Sequence, residues 1–223
     1  MAPDFCKRLA EATGIRAELL GGAWWATDFH FDWLAGALLT FIKGVNGENL
    51  SRQGNSNDLV AGNQEDIDLV VVAPDPDAGP LHHLILIEAK AYGHFTTGQY
   101  RSKVARLEKL YAFYTHLEEG RPGRVRFHYV LYSPTKPTKL VPIPLPWPSN
   151  DVTVPPIQHI ELKLGRQRSS MLSVTRCNES DKPDSEGNYW KCIKVSLNAL
   201  SPSEDATSEL ASLASLDGPI DGE

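Results

Sequence analysis

A carboxylate and an ammonium close the apolar run of "LILIEAKAYGHF" at residues 84–95. Glu88 and Lys90 are two residues apart, so on a strand they project to the same face. An acid and a base held together at a strand end can bind a metal and a phosphate; the plain alternative is a solvated terminus. A second acidic stretch, "EDIDLVVVA" at 65–73, bears on the choice. As a strand it puts Asp68, Val70 and Val72 on one face and Ile67, Leu69 and Val71 on the other. If the two runs are antiparallel neighbours, the start of one lies beside the end of the other. Asp68 and Glu88 then converge, with Lys90 next to them. Two carboxylates that close repel each other unless a cation neutralises them, and hard oxygen donors suit Mg²⁺ or Mn²⁺. Asp66 shares the face of Asp68 and is the rival or second ligand; the "IDLVVV" that follows favours Asp68.

The elements that would position these groups are legible from periodicity. "DFCKRLAEATG" reads as a short amphipathic helix closed by Gly14. "TDFHFDWLAGALLTFIKG" reads as a longer one, capped by Thr27 or Asp28, with Phe29, Trp33, Leu34, Ala37, Leu38, Phe41 and Ile42 at helical spacing and Gly44 as its stop. The Gly-, Asn- and Ser-rich 44–57 is loop. "DLVA" predicts a short strand, Ile67–Ala73 a longer one, and "HHLILIEAK" a third after the "PDPDAGP" turn. "TTGQYRSKVARLEKLYAFYTHLEEG" carries a stripe of Val104, Leu107, Leu110, Tyr111, Tyr114 and Leu117 and stops at Gly120. "RVRFHYVLYSP" alternates as a strand. The first three strands can form a meander, and the third and fourth, flanking a helix, should run parallel.

Beyond Tyr132, "PIPLPWP" forbids a helix and predicts an extended wall or linker. "IQHIELKL", "MLSVTRC" and "YWKCIKVSL" predict further strands, the last two as a hairpin around "NESDKPDSEGN". The expected fold is therefore α/β, a mixed central sheet flanked by helices with an appended C-terminal β layer. It forms one domain over 1–200, with its core at about 26–133 and the extension at 134–200. The acidic, Ser-rich 201–223 has no aromatic residue and is expected to be disordered.

Asp68 followed by Glu88-Ala89-Lys90, in an α-β-β-β-α-β order, resembles the PD-(D/E)XK nuclease superfamily, the restriction-endonuclease-like fold. The resemblance covers about residues 26–133. It implies a metal-dependent nuclease hydrolysing phosphodiester bonds, with DNA as the expected partner. Asp68, Glu88 and the backbone carbonyl of Ala89 would hold Mg²⁺ or Mn²⁺, and Lys90 would orient or deprotonate the attacking water. Many members add a Glu from the first core helix. None stands between 28 and 43; Asp28, Asp32, Glu18 and Glu48 are the substitutes on offer. Related enzymes carry QxxxY after the ExK strand, whereas here Gln99 is followed by Lys103, so the match is partial. Gln99, Lys103 and Arg106 share a helix side from which they could contact a phosphate backbone, and His94 is a further candidate for the substrate. Members of this superfamily often dimerise, which makes a homodimer an expectation. The alternative function is a non-catalytic module of this fold that binds nucleic acid or a protein partner.

Charge is compatible with a nucleic-acid partner. The 223 residues carry a net charge of −6, but 201–223 alone hold six acids and no base, so residues 1–200 are neutral. Residues 90–139 hold ten bases against three acids, an excess that suits either a phosphate-binding face or a solvated helix flank. Cys6, Cys177 and Cys192 form no CxxC and suggest buried thiols. No run approaches the roughly 20 apolar residues of a membrane span, and "MAPDFCKRLAEATG" has no signal-peptide apolar core, which predicts a cytoplasmic protein without a membrane partner. His82 and His83, adjacent on a strand, point oppositely and cannot chelate together. Trp24, Trp25 and Trp147 could stack on bases or fill the core.

Overall fold

A computed structural model describes residues 1–44, 59–60, 66–91, 94–119, 123–148, 157–163 and 170–196. The chain divides into two compact units, 1–162 and 163–223. The first is built on a five-stranded mixed sheet of β1 (Trp24–His30), β2 (Asp66–Asp75), β3 (Leu81–Ala89), β4 (Val125–Ser133) and β5 (Gln158–Glu161), in that spatial order. β1, β2 and β3 are successively antiparallel, while β3, β4 and β5 are parallel. The sheet has a helix-covered face on each side, which makes the unit α/β.

Strand alternation sorts the side chains between these faces. Val71, Ala73, Ile85, Ile87, Val130 and Ile160 pack under α1 (Pro3–Thr13) and α2 (Ala17–Gly21), against Cys6, Leu9, Ile15 and Leu20. Val70, Leu84, Leu86, Phe127, Tyr129 and Leu131 pack under α3 (Phe31–Lys43) and α4 (Thr97–Leu117). Helix α1 ends as its sequence predicts: Gly14 adopts a left-handed φ of 74° and its N–H closes on the Ala10 carbonyl. Helix α4 buries Tyr100, Val104, Leu107, Leu110, Tyr114 and Leu117, the predicted stripe extended by one turn, with Tyr111 half-buried at its margin. Ile143, Leu145 and Trp147 of the proline-rich run pack on the α3–α4 core, with Trp147 against Tyr111 and Phe127, so the run is a wall and Trp147 a core residue.

Two elements depart from expectation. The edge strand that completes the antiparallel meander is Trp24–His30, upstream of the helix, whereas Leu59 and Val60 of the expected "DLVA" strand lie in a bend. Helix α3 accordingly begins at Phe31 and not at Thr27 or Asp28. Its buried stripe is Phe31, Leu34, Ala35, Leu38 and Ile42, leaving Trp33 and Phe41 exposed. "WWATDFH" is rich in aromatic residues and finds a partner in β2; pairing along six residue positions outweighs a helical pattern that a two-residue shift satisfies equally well. Asp28 sits at φ 51°, in the left-handed region that Asp tolerates. This breaks the alternation of β1 and lets Phe29 meet Trp24 edge-on.

In the second unit, β6 (Ser170–Cys177) and β7 (Tyr189–Ser196) form the expected antiparallel hairpin. Its loop turns on Asn178, whose side chain accepts from the N–H groups of Ser180 and Lys182. Gly187 passes so close to the Cys177 carbonyl that an added Cβ would lie 2.1 Å from its oxygen. Among the described residues no helix is long and apolar enough to cross a membrane. Residues 201–223 and the Gly120 helix stop lie outside the described residues.

The α4–β4 connection is held by one fully buried hydroxyl. Tyr114 Oη accepts from the N–H of Gly123 at 3.1 Å and of Val125 at 2.9 Å. Tyr114→Phe keeps the ring and leaves both donors without that acceptor. A loss of about 1–3 kcal/mol in urea-unfolding stability is expected; an unchanged midpoint would show that the hydroxyl is dispensable.

Candidate metal and nucleic-acid site

The antiparallel register of β2 and β3 builds the site. Leu69 pairs with Ile87, so one step further along the ladder Asp68 faces Glu88, both on the side covered by α4. The main chain of β3 reinforces this meeting: the Ala89 N–H donates to Asp68 Oδ2 at 2.6 Å, while the Lys90 N–H donates across to the Tyr132 carbonyl of β4. Asp68 thus closes the β2 edge of the strand that carries Glu88.

Glu88 is the unusual group. Its side chain is 13% exposed, and burial pushes its carboxyl from an ordinary 4.5 to about 7. The ammonium of Lys103, 3.1 Å from Glu88 Oε1, pulls the value down, and the neighbouring Asp68 pushes it up again. Lys103 comes from the second turn of α4 and also donates to the Asp66 carbonyl at 2.5 Å, its ammonium 5.4 Å from the Phe31 ring centre. Glu88 Oε1 is nevertheless buried without a hydrogen bond of acceptable geometry, and so is Asp66 Oδ1. Glu88 Oε1 is a hard anionic oxygen, the donor type a divalent cation needs. Among the described residues no third His, Cys, Asp or Glu joins the pair to make a group of metal-binding size.

Asp66 turns elsewhere. Its Oδ1 lies 2.7 Å from Nδ1 of His30, its partner in the β1–β2 register, so Asp68 and not Asp66 is the acid set beside Glu88. Of the substitute acids, Asp28 takes the β1 position across from Asp68 in the β1–β2 register, Asp32 pairs with Arg106 at 3.5 Å, Glu18 is exposed on α2, and Glu48 lies outside the described residues.

Lys90 stands one residue past the strand, its Nζ donating to Gln99 Oε1 at 2.9 Å and lying 5.6 Å from the centre of the Phe95 ring. Gln99 is fixed in turn by a capping box. Thr96 Oγ1 accepts from the Gln99 N–H, and Gln99 Oε1 accepts from the Thr96 N–H. The signal was present as Thr-x-x-Gln before the helix, and it gives Gln99 a positional role beside any contact with phosphate. Lys103 and Arg106 are drawn inward by carboxylates and flank one buried ring, Phe31. Arg124 pairs with Glu118 at 2.7 Å. Several bases of the 90–139 segment are therefore matched within the fold. His94 is exposed in the segment joining Lys90 to α4.

A second polar cluster lies at the far end of β3, on the α1 face. His83 and His128 are buried and share a hydrogen bond of 3.1 Å, with His83 Nε2 3.5 Å from Asp75. Burial, with His83 and Arg126 nearby, drives His128 down to about 3, so it stays neutral. His82 points the opposite way, against Phe41.

Compared with known proteins, the chain matches no family model, and neither a curated protein nor a solved structure gives a significant match.

A raised carboxyl pKa is a statement about stability. The contribution of Glu88 is most favourable below about pH 4.5 and is lost as pH rises through about 7, because the fold disfavours the ionised form. Above that range the penalty is roughly 3 kcal/mol. In the metal-free protein Glu88→Gln should therefore gain stability over wild type between pH 5 and pH 8, by up to that amount. Parallel urea midpoints for the two proteins across this range would refute it.

Proposed function

We propose that this chain is a metal-dependent phosphodiesterase of the PD-(D/E)XK type, acting on DNA. The observation that carries the reading is the convergence of Asp68 and Glu88 from opposite ends of neighbouring antiparallel strands, with Lys90 one step beyond Glu88. The path β1–β2–β3 antiparallel, then α4, then β4 parallel to β3, is compatible with that core. Helix α3, inserted between the first and second strands, departs from the α-β-β-β-α-β order. The β6–β7 hairpin is read as a C-terminal addition.

Asp68 and Glu88 would hold Mg²⁺ or Mn²⁺, joined by the Ala89 carbonyl from the residue whose N–H already contacts Asp68. The ion would supply Lewis acidity to a phosphate oxygen and acidify a neighbouring water. Lys90, steadied by Gln99, would orient that water or accept its proton, and would offset charge gathering on the phosphate. A compact ammonium on a flexible stem suits this role, whereas a planar guanidinium delivers its donors in a fixed fork. The N-terminus of α4 and exposed His94 are the groups that would meet a phosphate backbone, with the α4 bases behind them.

A second reading, a module that keeps this fold without catalysis, is favoured by the pairing of Glu88 with Lys103, which a purely structural ion pair would also show. Incubation with single- and double-stranded DNA in Mg²⁺ or Mn²⁺ separates the two. Wild type should cleave; Asp68→Ala and Lys90→Ala should each lose about 10²–10⁴-fold in rate, and Lys90→Arg should not restore it. Equal cleavage by all four proteins would mark a contaminant. DNA binding without cleavage, indifferent to both metals, would establish the non-catalytic reading.

A further inference from the structure

Lys103 sits where a cation is needed. Its ammonium touches the one carboxylate oxygen of the Asp68–Glu88 pair that is buried and lacks a well-formed hydrogen bond, Glu88 Oε1 at 3.1 Å. It also donates to the Asp66 carbonyl at 2.5 Å and packs its charge over Phe31. These contacts are a carboxylate oxygen, a carbonyl oxygen and a π face, all of which attract a cation. The position is also rigidly supplied, since Lys103 is in the second turn of α4 and the preceding turn is locked by the Thr96–Gln99 capping box.

We infer that Lys103 is a tethered stand-in for the metal: its ammonium neutralises Glu88 in the metal-free protein and must leave Glu88 when a divalent cation enters. The inference rests on the metal-site reading of Asp68 and Glu88. An ammonium and a divalent cation cannot share one buried carboxylate oxygen without strong repulsion, so loading exchanges Lys103 for the ion. Phe31 and the Asp66 carbonyl remain within the reach of the lysine stem, so the displaced ammonium stays at the rim of the site. There it lies one helical turn from Gln99, the residue that holds Lys90, and a phosphate oxygen can take the place of Glu88 as its partner. Metal and phosphate would then bind with mutual support: the ion frees Lys103, and the phosphate gives the freed charge a partner. Arg106, one turn further along, touches the same ring but pairs with Asp32, so it adds to the local field without contacting Glu88.

The test is calorimetric titration of Mn²⁺ alone into the full chain at pH 8, comparing wild type with Lys103→Gln, Lys103→Met and Arg106→Gln. Lys103→Met keeps the apolar stem over Phe31 and guards against a folding defect in the glutamine variant. Both Lys103 variants should bind Mn²⁺ at least about tenfold more tightly than wild type, equivalent to about 1.4 kcal/mol, while Arg106→Gln stays close to wild type. In EDTA both Lys103 variants should melt below wild type, and Mn²⁺ should raise their melting temperatures by more than it raises that of wild type. A lysine serving only to pack the helix would give unchanged or weaker binding on removal, and that result overturns the inference while leaving the metal site intact. An equal gain in Arg106→Gln would reduce the effect to general field strength and overturn it as well. No Mn²⁺ binding in any of the four proteins would remove the metal site itself.

Discussion

A buried carboxylate next to another carboxylate organises the α3–α4 side of this protein. Glu88 stands next to the end of β3, a strand buried over His83–Ile87, and the register that seals β2 to β3 leaves Asp68 beside it. Ionising Glu88 there is costly because water is scarce and the nearest side chain of like kind is negative. Positive charge must come from somewhere, and α4 supplies it through Lys103. The same helix sends Arg106 to Asp32, so the two ion pairs clamp α4 to the strand ends on one side and to α3 on the other, with Phe31 between them. The apolar stripe seats α4 along its whole length; the two ion pairs add to it in the N-terminal half and the Tyr114 hydroxyl in the C-terminal half.

The two lysines near Glu88 carry different duties because they leave different elements. Lys90 continues the strand, so its position follows from the backbone of β3, and its only described hydrogen-bonding side-chain partner is a neutral amide, Gln99. Lys103 projects from a helix across the gap and is neutralised by Glu88. A charge paired with an amide stays unneutralised; a charge paired with a carboxylate is already neutralised and answers to whatever else binds that carboxylate. The polar cluster of Asp75, His83 and His128 stands at the opposite end of β3 and takes no part in this economy of charge.

Much of the fold was legible. The alternation of "IDLVVVA" and "HHLILIEA", the stripe of α4, the left-handed Gly14 and the hairpin around Asn178 are local patterns whose meaning does not depend on distant residues. The misreading at Thr27–Phe29 has a physical reason as well. "TDFHFDWLAGALL" satisfies a helical period from either Phe29 or Phe31, and only the presence of β2 alongside makes "WWATDFH" an edge strand. The bases of 90–139 left two readings open for a related reason: counting charges along the chain cannot show that Glu88, Asp32 and Glu118 each claim one of them.

By itself, the sequence determined that Glu88 and Lys90 share a face, that Asp68 heads a neighbouring strand, and that the two acids would meet if those strands ran antiparallel, because side-chain direction on a strand is a two-residue rule. Tertiary structure decided which of Asp66 and Asp68 stands at the meeting point, and which cation answers them. The first depends on a register set by ladder hydrogen bonds and on His30 from another strand. The second depends on the 21-residue helix α4 crossing back over the sheet, so that Lys103, fifteen positions from Glu88 in the chain, comes to lie 3.1 Å from its carboxylate.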